Sequence, residues 1–320
     1  MIDTARLARR ITWASSKQSF LTAWLLADRN LVDDCLRGYA YFRWADDVID
    51  HVLSGRNARL QFIERQKSLV EQFYGGEWPA DLSPEEVILA DLIAHDRRTN
   101  DGLQSFICNF LAVLEFDAER KGRLINNDEL RRYSDLLATA VIDGIQYFIG
   151  NSFTYPKPEI RCRAVVGAHV THMLRDTLED LSMGYINIPA EYIDEHGIDL
   201  YDMREEQLRC WVRERVRLAR SCFREGKQYI ESLKMLRCKL AGYWYCARFE
   251  RILDAIERNG YCLQPAPGDT NEISAWLAMA RLGLATIINH AAGRLWGSLP
   301  SVKSTIKSKA ATSRHSIQIE

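Results

Sequence analysis

The chain has 320 residues, 42 basic against 43 acidic side chains and a formal net charge of −1, and it is 47 % hydrophobic and 27 % charged. It is too apolar to be disordered as a whole and too charge-balanced to bind nucleic acid by bulk electrostatics. It is long enough to bury a substantial core, in one large domain or two small ones.

From the start of the chain, Met1 to Arg10 carries Asp3, Arg6, Arg9 and Arg10 and lacks the apolar core of a signal peptide. No window reaches the roughly 18 uninterrupted apolar residues of a membrane span. The eight cysteines stand singly, without the two-residue gap of a zinc knuckle or redox motif, so buried or idle thiols in a reducing cytoplasm are expected. All eight prolines (79, 84, 156, 158, 189, 265, 267 and 300) fall at apparent boundaries, as they must if the stretches between them are helices. In 56–74, Leu60, Ile63, Leu69, Val70, Phe73 and Tyr74 recur three or four apart. In 205–236, Leu208, Trp211, Val212, Val216, Leu218 and Phe223 do the same. The expectation is an all-α protein of about ten helices.

Loops are expected at Gly75–Pro84, Gly150–Pro158 and Gln264–Asn271, the last a candidate hinge. Residues 1–300 read as one domain without internal repeats. Trp276–Trp296, broken by Arg281, His290 and Arg294, reads as an ordinary core helix, with a helix lying on a bilayer as the alternative. The Ser/Lys-rich tail, 301–320, is expected to be disordered. Its alternative is a basic segment touching anionic lipid.

Two segments carry chemistry. In Arg43-Trp-Ala-Asp46-Asp47-Val-Ile-Asp50, Asp46 and Asp50 stand four apart and share a helix face. In Arg175-Asp176-Thr-Leu-Glu179-Asp180, Asp176 and Asp180 do so, while Arg175 points about 100° away from Asp176 around the helix. Like charges at this spacing repel. Two such pairs among apolar residues ask for a reason, and Mg²⁺ supplies one. It is a hard cation that binds through one or two carboxylates plus substrate phosphates, with arginines adding bidentate phosphate contacts. Solvated acidic faces with intrahelical ion pairs are the alternative.

Tyr39 to Asp50 resembles the first aspartate-rich motif of the squalene/phytoene synthase family. Met173 to Pro189, with its trailing Gly184 and Pro189, resembles the second. Ser16-Lys17-Gln18-Ser19-Phe20 is similar to the family's N-terminal Ser-Lys-Ser/Thr-Phe stretch. Asp128-Glu-Leu-Arg-Arg-Tyr133 and Arg248-Phe249-Glu-Arg-Ile252-Leu253 are weaker matches to its later helices. The resemblance spans roughly residues 10–262. It implies the all-α isoprenoid-synthase fold, a helical bundle with a central cavity and two aspartate-rich helices facing each other at one end. The implied chemistry draws diphosphate off an allylic prenyl substrate, C15 or C20, and couples the carbocation to a second prenyl unit.

By position, Asp46, Asp50, Asp176 and Asp180 are then metal or metal-water ligands, and Arg43 and Arg175 contact diphosphate. Ser16, Lys17, Ser19 and Tyr133 are candidates for its polar cradle. Phe20, Trp24, Tyr41, Phe110 and Phe148 are candidate cavity walls, with ordinary aromatic core as the alternative.

Four departures stand out. His169 and His172 replace the family's Gln and Asn, the Asn being a metal ligand there. They share a face with Asp176 and read either as neutral cavity-edge histidines or as an altered metal set or general base. Tyr185 stands where a basic residue is expected. Leu136 to Gly144 replaces a run of small residues. Phe249 replaces a late tyrosine, and the basic stretch after it is absent. These departures keep open a class I terpene cyclase, or a prenyltransferase with a non-prenyl acceptor, using the same site. A non-catalytic scaffold relative is the third reading. NADPH use and oligomeric state are not legible.

Overall fold

A computed structural model describes residues 2–96, 102–150, 158–264 and 272–297. Among them every regular element is helical: α1 (Thr4–Ser15), α2 (Lys17–Leu26), α3 (Val32–Asp47), α4 (Arg56–Gly75), α5 (Pro84–Ala94), α6 (Gly102–Arg120), α7 (Asn127–Ile149), α8 (Arg163–Met183), α9 (Ala190–His196), α10 (Glu206–Ser232), α11 (Leu236–Arg258) and α12 (Glu272–Gly297). A π-helical turn, Val48–Val52, follows α3, and a 3₁₀ turn, Glu159–Cys162, precedes α8.

The all-α expectation holds, with twelve α-helices among the described residues against about ten expected. Periodicity cannot see the break at Ser16, where the backbone turns extended and the Ser16 hydroxyl accepts from the Ser19 N–H to start α2. Other starts are written in the sequence. Ser83 with Glu86, and Asn126 with Glu129, form reciprocal capping boxes at α5 and α7. The expected helices at 56–74 and 205–236 are α4 and α10, although Leu218 lies exposed. The 301–320 tail and most of the two later loops lie outside the described residues.

The chain divides into two compact units, Met1–Glu272 and Ile273–Glu320. In the first, one core gathers the inner faces of α1 to α6 with the end of α7, around Tyr41, Phe73, Ile88, Leu92, Leu103 and Ile107. A second joins α8, α10 and α11 through Leu174, Trp211, Val216, Phe223, Phe249 and Leu253. Each such side chain, once buried, contributes about 1.5–3 kcal/mol. Phe106 packs against Gly144 so closely that a Cβ there would lie 2.6 Å from its ring. In the second unit, α12 carries Leu277, Leu284, Ile287 and Ile288 at exposed positions, and the side chains of Trp276 and Trp296, which bound the expected core helix, lie outside the described ones. Among the described residues no helix is long and apolar enough to cross a membrane.

Candidate active site

The first aspartate stretch is not a plain α-helix. α3 ends at Asp47, and the chain widens into the π-helical turn closed by Leu53 N–H to Val48 C=O at 3.0 Å. Such turns re-aim side chains and recur at functional sites. Asp46 stays on α3, while Asp50 swings toward the α6–α7 connection. There Lys121 Nζ donates to the Asp50 carbonyl at 3.1 Å and lies 3.7 Å from its carboxylate.

The second stretch is the C-terminal half of α8. Gly184, at φ +88°, ends the helix: its N–H reaches Leu181 C=O, and Tyr185 N–H reaches Asp180 C=O at 2.7 Å. This left-handed cap is glycine's natural position, and it turns Tyr185 back toward α3. Tyr185 Oη donates to Asp50 Oδ1 at 2.5 Å. Gly122 N–H to Gly184 C=O at 2.8 Å, and Ala190 N–H to Ile125 C=O at 2.8 Å, clamp the two connections together.

Between the stretches lies a buried network. Asp117 accepts from Arg120 Nε at 2.7 Å and from Tyr133 Oη at 2.8 Å. Arg120 also donates to Asn187 Oδ1 at 2.8 Å, and Asn187 Nδ2 donates to Asp180 Oδ2 at 2.7 Å. The Arg120 guanidinium stands 4.9 Å from the ring centres of both Tyr133 and Tyr185. One cation thus ties α6, α7 and the α8 exit together.

The electrostatics follow from crowding. Burial first, then Asp50 and Asp117, push the Asp46 carboxyl up to about 7. Burial and Asp176 raise Asp180 to about 7 against the pull of Arg120 and Asn187. Burial also raises Asp117, although Arg120 and the Tyr133 hydroxyl oppose it.

The arginines are already engaged. Arg43 pairs with Asp47 through two nitrogens and lies 3.7 Å from Asp46. Arg175 does not point away from Asp176. Its guanidinium curls back and grips both carboxylate oxygens at 2.6 Å, a reach that the backbone angle alone does not reveal.

Other expected residues divide. Tyr133, His169, His172 and Phe249 sit with the cluster: His169 meets the Tyr133 ring edge at 4.8 Å, and His172 lies 4.7 Å from Phe249. His169 is buried, its Nε2 has no partner, and burial holds its imidazole down to about 3, hence neutral. Val165, one turn before His169, lines an apolar cavity of about 40 Å³ with Ile142, Ile145, Ile230 and Leu233. That is far smaller than the roughly 150 Å³ of a cavity that admits a benzene ring. Along α8 the inner face therefore runs from apolar wall to imidazoles to carboxylates.

Ser16 and Ser19 hydrogen-bond each other at 2.9 Å, Phe20 packs on Trp13, and Lys17 is exposed. None of these four has a described bond to the aspartate cluster. Tyr41 is fully buried, with its hydroxyl donating to Gln66, and belongs to the core. Phe110 and Phe148 ring Phe106, and Trp24 is 61 % exposed rather than cavity-lining. Sequence reasoning missed Asp117, Arg120, Lys121 and Asn187. The available signal was the run Glu115, Asp117, Glu119, Arg120 and Lys121 closing the otherwise apolar α6, and an amide two residues after Tyr185.

The donor set suits a hard divalent ion: carboxylate oxygens, crowded enough to hold protons near neutrality. Among the described residues no three His, Cys, Asp or Glu are grouped to hold a metal by themselves. Mg²⁺ commonly takes one or two carboxylates and completes its shell with water and phosphate.

A family model described as squalene/phytoene synthase matches residues 14–272. The fold is similar to that of squalene synthase HpnC from Alicyclobacillus acidocaldarius, with a TM-score of 0.64 and 20 % identity over 82 % of this chain and 95 % of that one. It is also similar to TcSQS solved with the ligand BPH1237, with a TM-score of 0.61 and 13 % identity over 94 % of each chain. No curated protein matches the chain by sequence.

Proposed function

The chain belongs to the squalene/phytoene synthase family, and from that premise we propose that it ionises an allylic prenyl diphosphate in a Mg²⁺-dependent step and couples the cation to a second prenyl unit. The observation that carries this reading is the convergence of the two aspartate stretches, joined by the Tyr185–Asp50 hydrogen bond and the Asp117–Arg120–Asn187–Asp180 chain.

Asp46 and Asp50 on one side, and Asp176 and Asp180 on the other, are the residues to hold Mg²⁺. The chemistry such ions supply is neutralisation of charge on a leaving diphosphate. Lys121, beside Asp50, brings positive charge to the side where Tyr185 replaces a basic residue. Arg43 and Arg175 reach an incoming diphosphate by exchanging carboxylate for phosphate oxygens. Arg120 stays in place, and its role is to fix Asp117 and Asn187 so that Asp180 keeps its orientation. The aromatic ring of Phe249, with the apolar wall beyond Val165, suits a cation that must be kept from water.

A second reading, ionisation followed by cyclisation or transfer to a non-prenyl acceptor, is favoured by His169. Its buried, unpartnered Nε2 faces an unmet polar need that a pure hydrocarbon does not satisfy. Incubation with C10, C15 and C20 diphosphates and Mg²⁺, followed by mass spectrometry, separates the two. A doubled-length hydrocarbon or cyclopropyl diphosphate supports coupling. A same-length cyclic product or alcohol supports the second reading. Absence of diphosphate release at every chain length, with or without added acceptors, overturns both.

A further inference from the structure

The first two helices present a surface that makes no described bond to the aspartate cluster. On α1, Arg6, Arg10 and Trp13 stand at i, i+4 and i+7 and share a face. On α2, Phe20 and Trp24 stand at i and i+4. The Trp13 and Phe20 rings meet edge to face at 5.1 Å, which makes the two faces continuous. Trp13 is 47 % exposed, Trp24 61 % and Leu25 51 %.

Around these apolar groups lie Arg6, Arg10, Lys17 and Arg29, all exposed, none with a side-chain ion pair among the described residues. Arg9 alone on this segment is neutralised, by Asp33 at 2.7 Å. Residues 3–29 carry five basic side chains against two acidic ones, Asp3, which caps α1, and Asp28, which is buried and paired with Arg237, in a chain whose net charge is −1. The opposite sides of both helices are committed to the fold through Ala8, Thr12, Ala23 and Leu26. The surface is therefore preformed.

We infer that this α1–α2 face docks the protein on an anionic lipid bilayer, with Trp13, Trp24 and Leu25 entering the headgroup region and Arg6, Arg10 and Arg29 meeting lipid phosphates. The charge arrangement selects this occupant. Exposed indole rings prefer the membrane interface. Unpaired cations beside them are drawn to the negative surface potential of anionic leaflets. Apolar residues rimmed by Lys and Arg are the pattern of interfacial helices. Neutral lipid offers no counterpart to the cations. Both helices, 12 and 10 residues long, are too short to span, so the contact is superficial.

The test uses the full-length chain, sedimented with vesicles of phosphatidylcholine alone and with vesicles in which about a third of the lipid is phosphatidylglycerol, a fraction chosen to give a clearly negative surface. Binding to the anionic vesicles only, weakened by added salt, is the expected result. Arg6→Glu/Arg10→Glu is expected to weaken it about 20-fold or more. Trp24→Gln/Leu25→Gln is expected to abolish it while leaving helical circular dichroism unchanged. Equal binding to both vesicle types, no binding to either, or wild-type binding by both variants overturns the inference. So does a solution mass that falls from dimer to monomer in Trp24→Gln/Leu25→Gln, because the face is then an interface between two copies of this chain.

Discussion

The hydroxyl of Tyr185 donates to the carboxylate of Asp50 at 2.5 Å across 135 residues of sequence. Tyr185 is buried, and burial together with Asp50 raises its hydroxyl well above the ordinary tyrosine value. It therefore stays a donor at any physiological pH. The bond fixes Asp50 at the point where the π-helical turn has moved it off the α3 face, and it joins the exits of the two acidic helices. Tyr185→Phe is expected to cost about 1.5–3 kcal/mol, the range for a hydrogen bond to a charged group. Diphosphate release is expected to fall with it. Urea unfolding and a diphosphate assay check the two effects separately.

Arg120 is the only cation touching both Asp117 and Asn187 among the described hydrogen bonds. Its removal strands a buried carboxylate. Arg120→Ala is therefore expected to destabilise by about 3–5 kcal/mol. Asp117→Asn/Arg120→Gln is expected to recover part of that loss, because no net charge is left behind. A double-mutant cycle in urea measures the coupling, and strictly additive losses would show that the pair is not one unit.

Legibility of this site in the sequence was uneven, for physical reasons. The aspartate pairs announce themselves because four-residue spacing stacks like charges on one face, a costly pattern. The glycine after α8 announces the turn, because a positive φ suits it and few other residues. Asp117, Arg120 and Asn187 act through contacts 67 residues apart and less, and spacing carries no trace of those. The π-helical turn is likewise invisible, since Val48 to Val52 fits an α-helix equally well. In the fold, long amphipathic stretches declared themselves. The α1–α2 break rests on one serine cap, and Arg175 turns back by the flexibility of its own side chain.

The carboxyls of Asp46 and Asp180, both pushed up to about 7, set a pH dependence with a definite sign. An unfolded aspartic acid titrates near 3.9, so between about pH 4 and 7 the folded state holds protons that the unfolded chain has released. The stability these groups contribute is complete below about pH 4 and declines as pH rises toward 7. Asp46→Asn/Asp180→Asn is expected to lack this decline, so its Tm gains on the wild type as pH rises. Mg²⁺ is expected to raise the wild-type Tm above pH 7 and to leave that of the variant unchanged. Parallel Tm profiles would contradict the assignment.

Gly144 gives Phe106 its place in the ring cluster with Phe42, Phe110 and Phe148. Gly144→Ala places a methyl 2.6 Å from that ring, and such overpacking is expected to cost about 1–3 kcal/mol. Thermal unfolding checks the cost. Wild-type stability would mean that the ring moves aside freely.

The account rests on two distant acidic stretches acting as one ionisation site. Its most direct measurement is diphosphate release from farnesyl and geranylgeranyl diphosphate, with and without Mg²⁺, by the wild type, Asp46→Asn and Asp176→Asn. Release by the wild type only with Mg²⁺, and its loss in each variant while helical circular dichroism is retained, is the predicted result. Undiminished release in either variant would contradict it.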